Sequence, residues 1–349
     1  IQPDNKIVVG GATSDGAEYN FALTRYNSDG TLDNSFDTDG TATTGNAEGG
    51  KLFGVSIVCQ PDGKIIEAGK SYNEVDHDFA LVRYNNDGSI DTTFGTDGFV
   101  NTDIDGTDDH GSSVRLQPDN KIVLAGYSWN GSDYNFALVR YNIDGTLDNT
   151  FGLGGKVTTD FANKNDYAYS LALQPDGKFV VAGSSIQDIS YVNNFALCRY
   201  NIDGTLDETF GIDGKVATEI GGINSVGFSV AIQNDSKIVL AGHSRNALDW
   251  DFAVARYWGD GHEMIVEDPS RKITAISPNP ANEMIYIDLD GIEEKTNVQI
   301  FSVDQKLIMS MPGSENEFLK VNISDLPSGI YLINIMGNTT AVTKKFVKQ

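Results

Sequence analysis

His77 and His110 are the side chains in this sequence best suited to do chemistry, because imidazole binds metals and exchanges protons near neutral pH. His77 follows Asp76, and His110 closes the run Asp108-Asp109-His110. Two imidazoles and several carboxylates are therefore available to a divalent metal if the fold brings the segments together. The plainer reading is a pair of exposed polar loops, since no tight ligand spacing is present. The Asn-x-Asp-Gly segments, such as Asn142 to Gly145 followed by Asp148, offer oxygen ligands of the kind calcium takes. Against calcium, Arg140 stands where the first carboxylate of an EF-hand loop belongs, and no acid closes the loop. Asx-type turns account for these segments. The expected cofactor complement is none, with calcium or another divalent metal as the exception to test.

No catalytic residue is assigned. The chain has no G-x-S-x-G elbow, no phosphate-binding glycine loop and no cysteine cluster, and nothing singles out two carboxylates as a glycosidase pair. Tyr72, Trp129, Tyr134, Tyr191 and Trp250 are a different kind of candidate. They are interleaved with Asn, Ser and Asp, as platforms for sugar rings or for a protein partner would be. The alternative is that they pack between structural units.

The elements that would hold these residues come from an internal repeat. Gln2, Gln60, Gln117, Gln174 and Gln233 begin Q-P-D-G-K-like elements at spacings of 58, 57, 57 and 59, and five Arg-Tyr pairs keep the same beat. In the fourth copy four short strands are predicted: A, Tyr169–Leu173; B, Lys178–Gly183; C, Asn194–Tyr200; D, Lys215–Glu219. Each is rich in β-branched and aromatic residues and bounded by turn chemistry. Pro175-Asp176-Gly177 between A and B makes a tight hairpin. Four antiparallel strands in about 57 residues form a propeller blade. The class is all-β.

The recurrent arginines, Arg83, Arg140 and Arg199 among them, either line a channel or pair with a repeated acid such as Asp91, Asp148 or Asp207. Equivalence in every copy favours the pair. Cys59 and Cys198 stand where other copies carry small hydrophobes and read as core. With 49 acids against 25 bases the net charge is −24, which repels phosphate backbones and excludes nucleic acid as the expected partner. No apolar run is long enough for a transmembrane segment.

Q-P-D-G-K-I-V-x-A-G, F-A-L-x-R-Y-N-x-D-G-x-L-D-x-T-F-G and G-K-V-x-T recur in register over residues 1–261, and this resembles the delta-60 repeat of bacterial exported proteins, a propeller-like family. The first copy has no strand A, and the fifth has no clear strand D unless Glu263–Glu267 serves. The expected architecture is thus a β-propeller of four-stranded blades, about five repeats visible and N-terminally truncated. The A–B and C–D links share one face and barely vary, whereas the B–C and D–A links share the other and carry all the variation. Ligands are expected on that variable face.

Residues 262–274 read as a polar linker and residues 275–349 as six or seven short strands of a small Ig-like β-sandwich. This segment resembles the type A C-terminal sorting domain of type IX secretion in Bacteroidota. The resemblance is carried by Pro278, Asn279 and Pro280 at its start, by Leu326-Pro327-Ser328-Gly329-Ile330-Tyr331, and by Lys344, Lys345 and Lys348 in the last strand. It implies a secreted or outer-membrane-anchored surface protein, with the type IX secretion machinery and its sortase as partners. The function expected is a surface or secreted binding protein for an unknown glycan or protein ligand. The alternatives are an extracellular hydrolase or lyase on the variable face, or a spacer in a larger adhesin.

Overall fold

The computed structural model describes residues 1–14, 16, 18–45, 50–186, 192–220, 224–245, 249–259, 261, 263–267, 276–277, 281–288, 297–302, 306–312, 318–336 and 341–349. Every regular element in them is a β-strand. The chain forms two compact units, residues 1–250 with 258–262, and residues 251–257 with 263–349.

In the first unit the repeat becomes a series of antiparallel sheets. The first holds β1 (Ile7–Ser14), β2 (Tyr19–Tyr26) and β3 (Thr41–Thr44), with no strand A. The second holds β4 (Lys51–Cys59), β5 (Ile65–Tyr72), β6 (His77–Tyr84) and β7 (Phe99–Thr102). The third holds β8 (Asp109–Leu116), β9 (Ile122–Trp129), β10 (Tyr134–Tyr141) and β11 (Lys156–Thr159), and the fourth β12 (Asp166–Leu173), β13 (Phe179–Ile186), β14 (Asn193–Tyr200) and β15 (Lys215–Thr218). In the fifth copy β16 (Asn224–Ile232) pairs with β17 (Ile238–Arg245), and β18 (Trp250–Tyr257) pairs with β19 (Glu263–Glu267). Glu263–Glu267 is therefore a true strand D.

The hairpin chemistry behaves as the residues dictate: Gly177 takes a positive φ of 86° and donates to the Gln174 carbonyl at 2.9 Å. Strand A, in contrast, starts earlier than its alternation implies, at Asp166 instead of Tyr169. Each A strand contains a β-bulge, between Gly54 and Ser56, Gly111 and Ser113, Ala168 and Ser170, and Gly227 and Ser229. One extra residue breaks the period of two, so the strand's first half reads as loop. The bulge also joins the blades: Ser56 Oγ accepts from Val114 N, Ser113 Oγ from Leu171 N and Ser170 Oγ from Val230 N, at 3.1–3.2 Å.

The A strand of each blade packs over the sheet before it, on a C-strand phenylalanine. Phe79 shares a core with Val114, and Phe136 with Ala168 and Leu171, each ring fully buried, and truncation of such a ring to alanine costs about 3–5 kcal/mol. The arginines are in the paired form: Nε of Arg83, Arg140 and Arg199 lies 2.7 Å from Asp91, Asp148 and Asp207, and each guanidinium covers a phenylalanine ring. The two cysteines are free thiols.

The second unit includes β20 (Ile276–Ser277), β21 (Met284–Asp288), β22 (Asn297–Ser302), β23 (Leu307–Pro312), β24 (Phe318–Asn322), β25 (Gly329–Met336) and β26 (Ala341–Lys348). They form a three-stranded sheet, β20-β21-β24, and a four-stranded sheet, β23-β22-β25-β26. Ile285, Ile287 and Val321 of the first and Val298, Ile333 and Phe346 of the second share one core, which makes a β-sandwich.

Candidate functional site: an aromatic belt around Asp108

Asp108 sits just ahead of β8 and gathers groups from two blades. His77, at the start of β6, donates its backbone N–H at 3.1 Å and its Nδ1 at 2.7 Å to Asp108 Oδ1. His110 Nε2 lies 2.7 Å, and the Tyr134 hydroxyl 2.8 Å, from Asp108 Oδ2. Lys70 Nζ lies 2.7 Å from His110 Nδ1. Burial works against ionisation of Asp108, yet the hydrogen bonds from His110, His77 and Tyr134 outweigh it and hold the carboxyl well below its usual range. Burial pushes His110 below its ordinary value, against Asp108, and lowers Lys70 likewise. Tyr134 is pushed up to about 12, by burial first and then by its bond to Asp108.

These protonation states fix the tautomers. An ionised Asp108 only accepts, so the nitrogens that face it, Nδ1 of His77 and Nε2 of His110, are the donors. The second nitrogen of His110 then accepts from the Lys70 ammonium.

Rings surround this polar centre. His110 stacks on Tyr127 with centroids 4.7 Å apart, and His77 lies 5.0 Å from both His110 and Tyr72. Tyr134 lies 5.0 Å from Trp129 and 5.5 Å from Tyr167. The belt continues through Tyr169 and Phe228, 5.4 Å apart, to His243 and Trp250, 4.3 Å apart, and at its other end through Phe53 to Tyr19. Tyr169 and Phe228 are the extra residues of their A-strand bulges, which turn them toward the belt. Most of these rings are half-buried, and Tyr19, Phe228 and Trp250 are exposed.

Four of the candidates thus lie in one belt: Tyr72, Trp129, Tyr134 and Trp250. Tyr191, Pro278, Asn279 and Pro280 lie outside the described residues. Of the metal candidates, His77, Asp108 and His110 come together, their ligand atoms within 4.8 Å of one another. Asp109 does not join them. Successive residues of a strand face opposite sides, so it turns the other way and groups with Asp78 and Asp103.

The sequence reading missed Lys70, Tyr127 and His243. All three fill the third position of the strand-B motif Ala-Gly-x-Ser, which holds Lys70, Tyr127, Ser184 and His243 in successive copies. A variable position inside a constant frame was the available signal.

In the second unit Tyr331 donates its hydroxyl to the Pro327 carbonyl at 2.8 Å and stacks on Phe346 at 5.4 Å. Gly329 opens β25, which pairs along its length with β26 and so with Lys344 and Lys345.

Residues 275–349 match the family model of the secretion system C-terminal sorting domain. Residues 2–36, 60–94, 117–151 and 174–210 match that of the DUF5122 beta-propeller. No curated protein matches the chain. Among solved structures, a protein of unknown function from Bacteroides caccae is 10% identical with a TM-score of 0.40, over 88% of this chain and 93% of its own. The polysaccharide lyase Uly1 is 11% identical with a TM-score of 0.44, over 98% of this chain and 88% of its own. Both likenesses are too distant to bear on activity. Among the described residues, no helix is long and apolar enough to cross a membrane.

Proposed function

We propose, for a chain that carries DUF5122 beta-propeller repeats and a secretion system C-terminal sorting domain and is therefore exported to the cell surface or the medium, that the propeller is a carbohydrate-binding module. Its ligand lies along the aromatic belt. The observation that carries this reading is the run of half-exposed rings from Tyr19 to Trp250, interrupted by hydrogen-bonding groups at Asp108, Lys70 and Tyr134. Sugar rings present C–H faces to aromatic surfaces and hydroxyls to fixed polar groups, and the belt offers rings along its length and one polar centre at Asp108. The sorting domain makes the secretion machinery a partner, and we assign its sortase to the same route.

Glycan-array binding by the purified chain tests the proposal. Trp129→Ala and Tyr72→Ala should each weaken the strongest glycan signal about tenfold, the loss of roughly one stacking contact. Absence of glycan binding by the unmodified chain, or undiminished binding by both variants, overturns it; protein ligands captured by the same face would replace it.

One observation favours a second reading, an extracellular lyase or hydrolase on the same belt. Asp108 holds His77 through Nδ1, which keeps Nε2 as the ring nitrogen for proton exchange with a substrate. New reducing or unsaturated chain ends from a bound polysaccharide, lost on His77→Ala, would establish it.

A further inference from the structure

Asp78 and Asp103 adjoin the Phe79–Thr102 pair that ends the β6–β7 ladder, Asp78 just before Phe79 and Asp103 just after Thr102. Asp109 reaches the same place from the first strand of the next blade. Ligand oxygens from the three lie within 4.8 Å of one another. Calcium holds oxygens at about 2.4 Å, so oxygens on opposite sides of one ion are at most about 4.8 Å apart. Three oxygens that close lie at most about 2.8 Å from a common centre, so side-chain shifts of a few tenths of an ångström bring all three onto one ion.

Their hydrogen bonds fall on one oxygen of each carboxylate. Asp78 Oδ2 accepts from Asn101 at 2.8 Å and Asn73 at 3.1 Å, Asp103 Oδ1 from Gly106 N at 2.6 Å, and Asp109 Oδ2 from Ile104 N at 2.5 Å. Lys156 Nζ goes to the Asp103 carbonyl at 2.6 Å and not to its carboxylate. Asp109 is fully buried, and its Oδ1 has no hydrogen-bond partner. The Ser128 hydroxyl, across the β8–β9 pair from Asp109, lies 3.5 Å from the Ile104 carbonyl and also supports the ionised Asp109 carboxyl. A buried carboxylate oxygen left unpaired beside two further carboxylates is costly in desolvation and in repulsion, and a bound cation removes both costs.

We propose that Asp78, Asp103 and Asp109 bind a calcium ion at the joint between the second and third blades, with water completing the coordination through the exposed side at Asp103. Oxygen-only ligands select a hard cation over zinc or copper. Asp103, the exposed member, is the route of entry. The repeat supplies an internal comparison. The equivalent positions are Asn20, Gly45 and Leu52 at the preceding joint, Asn135, Asp160 and Asp166 at the following one, and Asn194, Glu219 and Ser225 at the next. Only the joint between the second and third blades has three aspartates, so the charge that sets calcium affinity is concentrated there.

The test is calorimetric titration of calcium chloride into the whole chain after exhaustive chelation, with urea unfolding in calcium and in chelator. One site should titrate, and calcium should raise the urea midpoint. Asp103→Asn, at an exposed position that leaves the fold intact, and Asp109→Asn should each weaken binding about tenfold or more, while Asp160→Asn leaves it unchanged. No calcium uptake at millimolar concentration, or uptake unaffected by Asp103→Asn, overturns the proposal. Equal loss on Asp160→Asn would place the ion at the following joint and overturns it as well.

Discussion

Arg140 donates through Nη1 to the main-chain carbonyl of Ile202, a turn residue of the following blade, while its Nε holds Asp148 of its own blade at 2.7 Å. The same relationship links Arg25 to Asn86, Arg83 to Ile143 and Arg199 to Gly259. All four acceptors occupy the second position of the Asn-x-Asp-Gly turn or its fifth-copy counterpart. The turn is closed internally, since Asp144 Oδ1 accepts from Thr146 N at 3.0 Å and Thr146 Oγ at 2.7 Å. Its outer surface is the plug that each blade sets into the one before.

Arg140→Ala should therefore lower stability by about 3 kcal/mol, because it strands a buried Asp148 and leaves the Ile202 carbonyl without its donor. The loss falls short of a complete ion-pair break because Lys121 still reaches Asp148 at 2.6 Å. Urea unfolding measures it; a change within 0.5 kcal/mol, typical of surface sites, would contradict the joint.

Gly145 carries the tightest constraint in that plug. Its φ is 89°, and a Cβ there would lie 2.9 Å from Gly95 N and 3.0 Å from the Phe94 ring of the preceding blade. Gly145→Ala should cost more than the roughly 1 kcal/mol of an unhindered positive-φ site, on the order of 2–3 kcal/mol. Gly16, also at positive φ but with open space around its Cβ position, is the control for φ alone.

Glu67 predicts a pH dependence. It is fully buried in β5, where the other copies carry Val9, Leu124, Val181 and Leu240, and it accepts from Gly11 N at 3.0 Å and Tyr84 OH at 3.4 Å. Burial pushes its carboxyl up to about 8, against those hydrogen bonds. An unfolded glutamate releases its proton near 4.5, so between these values the folded chain binds more protons than the unfolded one. Stability from this group is greatest at low pH, falls as pH rises through the window and levels off above about 8. Glu67→Gln should flatten that slope and be more stable than the parent at pH 9 by on the order of a few kcal/mol, read from urea midpoints across pH.

In the sorting domain, Tyr331→Phe removes only the bond to the Pro327 carbonyl and should cost about 1 kcal/mol. Tyr331→Ala also removes the stack on Phe346 and should cost about 3–5 kcal/mol. Measured on a carrier protein fused to residues 262–349, export should survive the first change and fail with the second. Equal export of both would separate recognition from this packing.

By itself the sequence determined whatever depends on neighbours along the chain. Turn residues and alternation placed the C and D strands and the start of B, which runs three residues further, to Ile186; the copies of Arg and Asp implied their pairing by equivalence, and the glycine and tyrosine near the end marked the sorting domain. Tertiary structure decided what depends on neighbours 31 to 62 residues away. The A-strand bulge is invisible to a period-of-two pattern because it breaks that pattern, and with it went the true start of strand A and the exit of Tyr169 and Phe228 into the belt. His77 reached Asp108, and Asp78 reached Asp109, only once one blade packed on the next. That packing sets which polar groups meet and how much water they lose, and a linear pattern of residues contains neither quantity.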